Sequence, residues 1–352
     1  NPSAKDLFMN LNEIQNRYND QVLAEAALRF GFNHSELTEL EGSSFVYEGL
    51  ADESPRILKI TPGYWNTTVQ VTGSTVEQVL AEVDFVRYLA DHGMQVAAPV
   101  PSRQRNWVEI IPLDNQACFL ATCVEKVPGF MYPDEDEVQF PQAVLEEWGR
   151  TCGQLHRLSA GFQPNQDRRR LSWRDNDLLD FSVLIPTEQT LIYQRRDEIM
   201  RALEALPQGA ESYGLIHGDF HHGNFFVDGG KVIVFDFDAA EYSWYIGEIV
   251  TALENCLPLP RAQVEKRRLF ALNFLSHFLT GYRSERPLES FWVQQVPLFL
   301  KYNELLRYAY FQKFWDMTQL SERRAAVLND LRRRLEEQIP VVEFQPGDLE
   351  VL

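Results

Sequence analysis

Cysteine is scarce in this chain. Cys118, Cys123, Cys152 and Cys256 are the only four, and none stands at CxxC spacing or in a paired framework. That excludes a disulfide-stapled scaffold and a cysteine-based zinc module, and fits small core residues of a reduced, cytoplasmic protein. Long apolar runs are missing too. The most apolar stretch, Leu269 to Leu279, is interrupted by Asn273 and His277, so a buried helix is expected there and not a membrane span. The first residues are polar, without the basic-then-apolar layout of a signal peptide. Basic residues are outnumbered, 33 Lys and Arg against 51 Asp and Glu, for a net charge of −18. A general nucleic-acid binder needs a basic face, so that class is set aside. The acidity would suit a cationic partner, although solubility alone accounts for it. No internal repeat or low-complexity segment is present.

At 352 residues the chain is long enough for two domains or lobes. Apolar spacing predicts a helix over 5–31 and a strongly amphipathic one over 75–92, stopped by Gly93. Strands are expected at 45–47, 57–60, 107–111 and 118–124, with a turn through Asp52 to Pro55. Pro128-Gly129 then breaks the pattern. Beyond it, helices are expected at 141–158, 189–206, 244–256, 261–282, 290–318 and 321–338, around a strand-rich patch at 213–238. The acidic run Asp134 to Glu137 reads as a solvated loop. The layout is α+β: a small antiparallel sheet-plus-helix lobe over 1–124, a hinge near 124–129, and a large, mostly helical lobe over 125–352.

The strand-rich patch carries the strongest chemical signal. His217-Gly-Asp219 follows Leu215-Ile216, and Asn224 comes five residues after Asp219. Phe225-Phe-Val227, the turn Asp228-Gly-Gly230 and Lys231 to Phe235 read as a hairpin, ended by Asp236-Phe-Asp238. A hairpin should set Asn224 at its entry beside Asp236 at its exit. An amide and a carboxylate there supply the hard oxygens that Mg²⁺ prefers. Asp219, one loop away, is placed to accept a proton from an attacking hydroxyl. Phosphoryl transfer from ATP needs these parts, and the Asp-to-Asn gap and the His two residues before the Asp match a kinase catalytic loop. His217 is expected to hold the loop backbone. His221 and His222 have no further ligands at zinc spacing.

A kinase also needs a cation on the phosphates. Lys59, in the strand Arg56 to Ile60, is the candidate, and Glu82 on the amphipathic helix is the acid expected to pair with it. Gly42, Ser43 and Ser44 precede a strand and could offer backbone N–H groups and hydroxyls to phosphate.

Together these residues resemble the aminoglycoside phosphotransferase and choline kinase superfamily, over about residues 20–318. The most specific parts are Ile216 to Asn224 and Val234 to Asp238. Val124 to Gly129 looks like its interlobe hinge and Gly153-Gln-Leu-His156 like its "LH" helix. The resemblance implies a bilobal protein-kinase-like fold with ATP and Mg²⁺ as cofactors. It implies Asp219 as base and Asn224 and Asp236 as metal ligands, with Asp238 in support. It also implies adenine contacts from backbone groups of Glu125 and Val127. Glu248 stands where the family usually places Asp. His156 reads as a packed helix residue.

Gly218 replaces the Arg of protein kinases, Asp238 replaces the glycine of their DFG triplet, and no room is left for a long activation loop. That favours a small hydroxyl acceptor, such as an amino alcohol, amino acid or aminoglycoside-like metabolite. A Ser/Thr protein kinase and a non-catalytic nucleotide-binding protein are the alternatives. Acceptor contacts are expected from Tyr242, Trp244, Glu304 and Tyr308, with Tyr302 and Arg307 beside them. Aromatics and acids together suit an amine-bearing alcohol.

Overall fold

The computed structural model describes residues 11–40, 45–65, 75–132, 140–165, 168–258 and 263–352. Gly42, Ser43, Ser44 and the acidic run Asp134 to Glu137 lie outside the described residues. The chain forms two compact units. The first comprises Asn1–Gly129 and takes back two later segments, Phe162–Arg170 and Ile233–Asp238; the second holds the rest.

In the first unit, α1 (Leu11–Gln15) and α2 (Asp20–Phe30) replace the single helix expected over 5–31. The break lies at Asn19, whose side chain accepts from the Gln21 and Val22 N–H groups and so starts α2 afresh. Five strands follow: β1 (Thr38–Glu39), β2 (Val46–Ala51), β3 (Ser54–Tyr64), β4 (Glu109–Pro112) and β5 (Ala117–Glu125). They form one antiparallel sheet in the order β1-β2-β3-β5-β4. The β2–β3 turn is tighter than expected. Asp52 and Glu53, with φ of 46° and 66°, make it alone, and Pro55 already belongs to β3. Helix α3 (Val76–Asp91) starts at a capping box between Thr75 and Gln78 and stops before Gly93, which has φ 81°. Leu58 and Ile60 of β3 are buried with Ala26, Ala27 and Phe30 of α2 and Phe119 of β5. Period-2 alternation then turns Lys59 to the opposite face of the sheet.

The second unit contains α4 (Gln142–Ser159), α5 (Phe181–Leu184), α6 (Thr190–Glu204), β6 (Tyr213–Ile216) and β7 (Phe225–Asp228). After β8 (Lys231–Val234), whose last two residues belong to the first unit, come β9 (Glu241–Trp244) and α7 (Tyr245–Glu254). Then follow α8 (Val264–Arg283), α9 (Ser290–Val293), α10 (Val296–Phe314) and α11 (Glu322–Glu337). β6 pairs antiparallel with β9, and β7 and β8 make the expected hairpin, turned by Gly229 and Gly230 with φ of 53° and 80°. The helix expected over 290–318 is two helices, because Pro297 opens α10: without an N–H it suits a first turn and not an interior.

Helices α4 and α8 cross at backbone distance. A Cβ on Gly281 would lie 1.8 Å from the Glu146 carbonyl oxygen, and one on Gly149 would lie 1.9 Å from that of Phe278. Neither backbone can yield alone. Gly281→Ala is therefore expected to destabilise the protein by about 3 kcal/mol, the upper part of the range for overpacking, in chemical denaturation. A loss below about 0.5 kcal/mol, the size of an ordinary surface substitution, would contradict that crossing. None of the four cysteines forms a disulfide, and three are buried. Among the described residues no helix is long and apolar enough to cross a membrane.

Candidate active site

The first unit carries a compact charge cluster. Lys59 Nζ lies 2.7 Å from Asp236 Oδ1 and also pairs with Asp238. Burial alone would lower the Lys59 pKa. The charges of Asp238, Asp236 and Glu82 outweigh it and hold the ammonium well above its usual range. Asp236 adopts φ 64°, a left-handed conformation that Asp tolerates better than most residues. Its carboxylate, like that of Asp238, is about half exposed.

The expected Lys59–Glu82 pair is not formed. Glu82 lies 3.6 Å from Arg170 Nη1 instead. Arg170 also donates to the Gln78 carbonyl at 3.3 Å and to the Asp238 carbonyl. It thus ties one face of α3 to the segment that carries Asp236. Burial, then the charge of Asp238, pushes Glu82 up to about 8, against the pull of Arg170 and Lys59. Glu82, Asp236 and Asp238 thus gather around Lys59 and Arg170. At the strand end, the Glu125 N–H is committed to the Ala98 carbonyl at 2.9 Å, so only its carbonyl could serve adenine. The Val127 N–H has no partner among the described residues.

The second unit carries the loop after β6. Gly218 has φ 84°, and a Cβ there would meet the Ala239 carbonyl oxygen at 2.1 Å, so only glycine fits. His217 is fully buried, and its Nδ1 accepts from the Asp219 N–H at 3.3 Å, the backbone-holding role expected of it. Asn224 Nδ2 donates to the Asp219 carbonyl at 2.8 Å and to Asp219 Oδ2 at 3.1 Å. That fixes the amide, leaving Asn224 Oδ1 to face elsewhere. His221 Nε2 lies 3.4 Å from Asp219 Oδ2 while its Nδ1 accepts from the Gly223 N–H at 3.0 Å. Two groups thus gather on Oδ2 of Asp219.

Spacing alone did not reveal what holds this loop. Glu248 of α7 accepts from the Gly218 N–H at 2.7 Å, and its other oxygen lies 2.8 Å from His156 Nε2 of α4. His156 Nδ1 lies 2.9 Å from the Tyr282 hydroxyl of α8. Burial holds the imidazole below its usual pKa, against the pull of Glu248, so the neutral ring donates to Glu248 and accepts from Tyr282. His156 and Glu248 are both fully buried. Cys152 completes a metal-like trio with them, but both ring nitrogens and both carboxylate oxygens are already engaged. The trio is a hydrogen-bond network that fixes the residue preceding Asp219. The longer Glu248 reaches where the family's Asp was expected.

Glu248→Ala would strand the Gly218 and His156 donors in a dry interior, at a cost of about 3 kcal/mol; denaturation of the two proteins side by side measures it. His156 also gives the fold a pH dependence. Its folded pKa is lowered, so its contribution is complete above the unfolded value of about 6.5 and is lost as pH falls below it. His156→Gln should flatten the decline in stability below that pH.

Three of the expected acceptor residues are structural. Trp244 is 1% exposed, and its indole donates to the Pro207 carbonyl at 2.8 Å. Glu304 is buried against Arg334 of α11 at 2.9 Å. Tyr308 is buried, with its hydroxyl on Gln189 at 2.6 Å. All three are buried in the core. Arg307 pairs with Glu254 at 2.8 Å. Tyr242 stays half-buried on β9, and its carbonyl accepts from the Tyr213 hydroxyl.

Residues 37–288 match the model of the Phosphotransferase enzyme family. The chain is 32% identical over 329 residues to amicoumacin kinase of Bacillus subtilis (strain 168), covering 93% of this chain and 95% of that one. It is similar to the solved structure of the amicoumacin kinase hAmiN in complex with AMP-PNP, Ca²⁺ and Ami, with TM-score 0.86, 32% identity, and coverage of 97% and 99%. A microcompartment-associated aminopropanol kinase shares the fold at TM-score 0.67 and 21% identity, with coverage of 90% and 95%.

Proposed function

Since this chain belongs to the phosphotransferase enzyme family, we propose that it moves the γ-phosphate of ATP to a hydroxyl of an amine-bearing small molecule, with Asp219 as base. The observation that carries the reading is Lys59, drawn onto Asp236, 177 residues away in sequence, and onto Asp238. A phosphate-binding cation beside carboxylates with exposed oxygens is what a metal–nucleotide site requires.

Asn224 Oδ1 and the Asp236 carboxylate are the oxygens that would hold Mg²⁺, with Asp238 in support. Both fit a hard cation, since the Asn224 nitrogen is committed to Asp219. Bound Mg²⁺ would neutralise charge on the β- and γ-phosphates. Lys59 would leave its aspartates for the phosphates, with Gly42, Ser43 and Ser44 as further contacts. Glu82, held by Arg170, would orient Lys59 through its field. The Glu125 carbonyl and the Val127 N–H would take the adenine edge. As the acceptor oxygen bonds to the γ-phosphorus, the bond to the bridging oxygen breaks and ADP leaves. The hydroxyl proton passes to Asp219, through the oxygen that Asn224 does not hold.

The test is Mg-ATP turnover with a metabolite mixture, read by mass spectrometry, with Asp219→Ala and Asp236→Ala beside the wild type. Phosphorylated product should appear in the wild type alone. Equal turnover in all three, or label on a generic protein substrate and on no metabolite, would overturn the reading.

A further inference from the structure

Helices α6, α10 and α11, with Ile339 just beyond the last of them, line a cavity of about 180 Å³ in the second unit. None of its lining residues belongs to the Gly218–Asn224 loop or to the Lys59 cluster. Its charge is unbalanced. Arg195, Lys301 and Arg334 line it against Glu198 and Glu304. Both carboxylates are engaged. Glu198 Oε2 lies 2.8 Å from Arg195 Nη1, and Glu304 Oε1 accepts from Arg334 Nε at 2.9 Å.

Two of the cations still have N–H groups to give. Arg334 is 5% exposed, and its Nη2 donates to the Pro340 carbonyl at 2.8 Å. Its Nη1 has no partner among the described residues. Lys301 is half-buried, with no hydrogen bond or ion pair among the described residues. Arg195 adds a buried Nε that is also unsatisfied. Donors in a recess lose hydration and gain no acceptor in return. In a chain of net charge −18, solubility does not explain cations gathered this way.

The lining selects among ligands. A carboxylate has two oxygens and about four lone-pair sites, enough for the Lys301 ammonium and Arg334 Nη1 together. The uncharged lining, Gln338 aside, is apolar, with Ile199, Leu298, Leu335 and Ile339 its largest members. A short hydrocarbon chain would leave water against these side chains. A phosphate dianion would bring two charges to one surplus cation, beside two carboxylates, and has no apolar body. An amine would meet three cations. The volume lies below the roughly 300 Å³ at which sites for drug-sized ligands begin, so the ligand is small.

We propose that this cavity binds a small carboxylic acid with a short apolar chain, its carboxylate held by Lys301 and Arg334 and its chain packed among Ile199, Leu298 and Leu335. Occupancy ties α11 to α6 and α10, so binding raises the stability of the fold. The site is independent of the phosphotransfer reading.

The experiment titrates the full chain with hexanoate, hexanol, hexylamine and inorganic phosphate, by calorimetry and by thermal shift. Hexanoate should bind saturably and raise the melting temperature with its concentration. The other three should bind at least about tenfold more weakly. Lys301→Met keeps the stem and loses the charge, and should weaken hexanoate about tenfold; Lys301→Arg should restore it. Ala202→Trp, at an exposed lining position, should block the cavity and abolish binding. Each variant should keep the wild-type thermal shift with AMP-PNP and Mg²⁺, which separates this site from the nucleotide's. No saturable hexanoate binding would overturn the proposal, as would hexanol or phosphate binding as tightly as hexanoate. Undiminished hexanoate affinity in either Lys301→Met or Ala202→Trp would overturn it too.

Discussion

Asp219→Asn is expected to cut turnover about a thousandfold, within the range for loss of a general base and equivalent to roughly 4 kcal/mol of barrier, with nucleotide affinity unchanged. An asparagine can still meet Asn224 and the loop backbone but cannot take the hydroxyl proton. His217, Gly218 and Glu248 keep their backbone contacts, so the loop should hold its course. Steady-state kinetics and AMP-PNP titration of the same preparation check both halves. A variant keeping a tenth of wild-type turnover would remove Asp219 from the base role.

Asp236→Asn should be as damaging to turnover by a different route, losing about a thousandfold because a metal ligand contributes several kcal/mol of charge stabilisation. It should not unfold the protein. Asn accepts the left-handed conformation found at this position, φ 64°, and Lys59 keeps its second partner, Asp238. The expected signature is a nearly unchanged melting temperature with turnover all but lost. A large fall in melting temperature would recast Asp236 as a structural residue.

Much of this was legible in the sequence. The alternation around Lys59, the hairpin at Asp228-Gly-Gly230 and the Asp219-to-Asn224 spacing are local signals, and local periodicity fixes which face a residue takes. The missing parts depend on residues far apart in the chain. Glu82 was expected to meet Lys59, yet Arg170 takes that place, because Phe162–Arg170 returns to the first unit after a complete helix. His156 and Glu248 are 92 residues apart, and His156 and Tyr282 are 126 apart. No spacing rule joins them, although a buried Glu where Asp was expected was the available clue. Trp244, Glu304 and Tyr308 were taken for site residues because polarity and aromaticity do not separate a cavity wall from a satisfied core contact.

The central claim is that Asn224 and Asp236 hold the metal that carries the nucleotide. Calorimetric titration of AMP-PNP with and without Mg²⁺ tests it most directly. In the wild type, Mg²⁺ should tighten binding at least tenfold, and in Asp236→Asn it should bring no gain. The same Mg²⁺-dependent gain in both proteins would contradict the account.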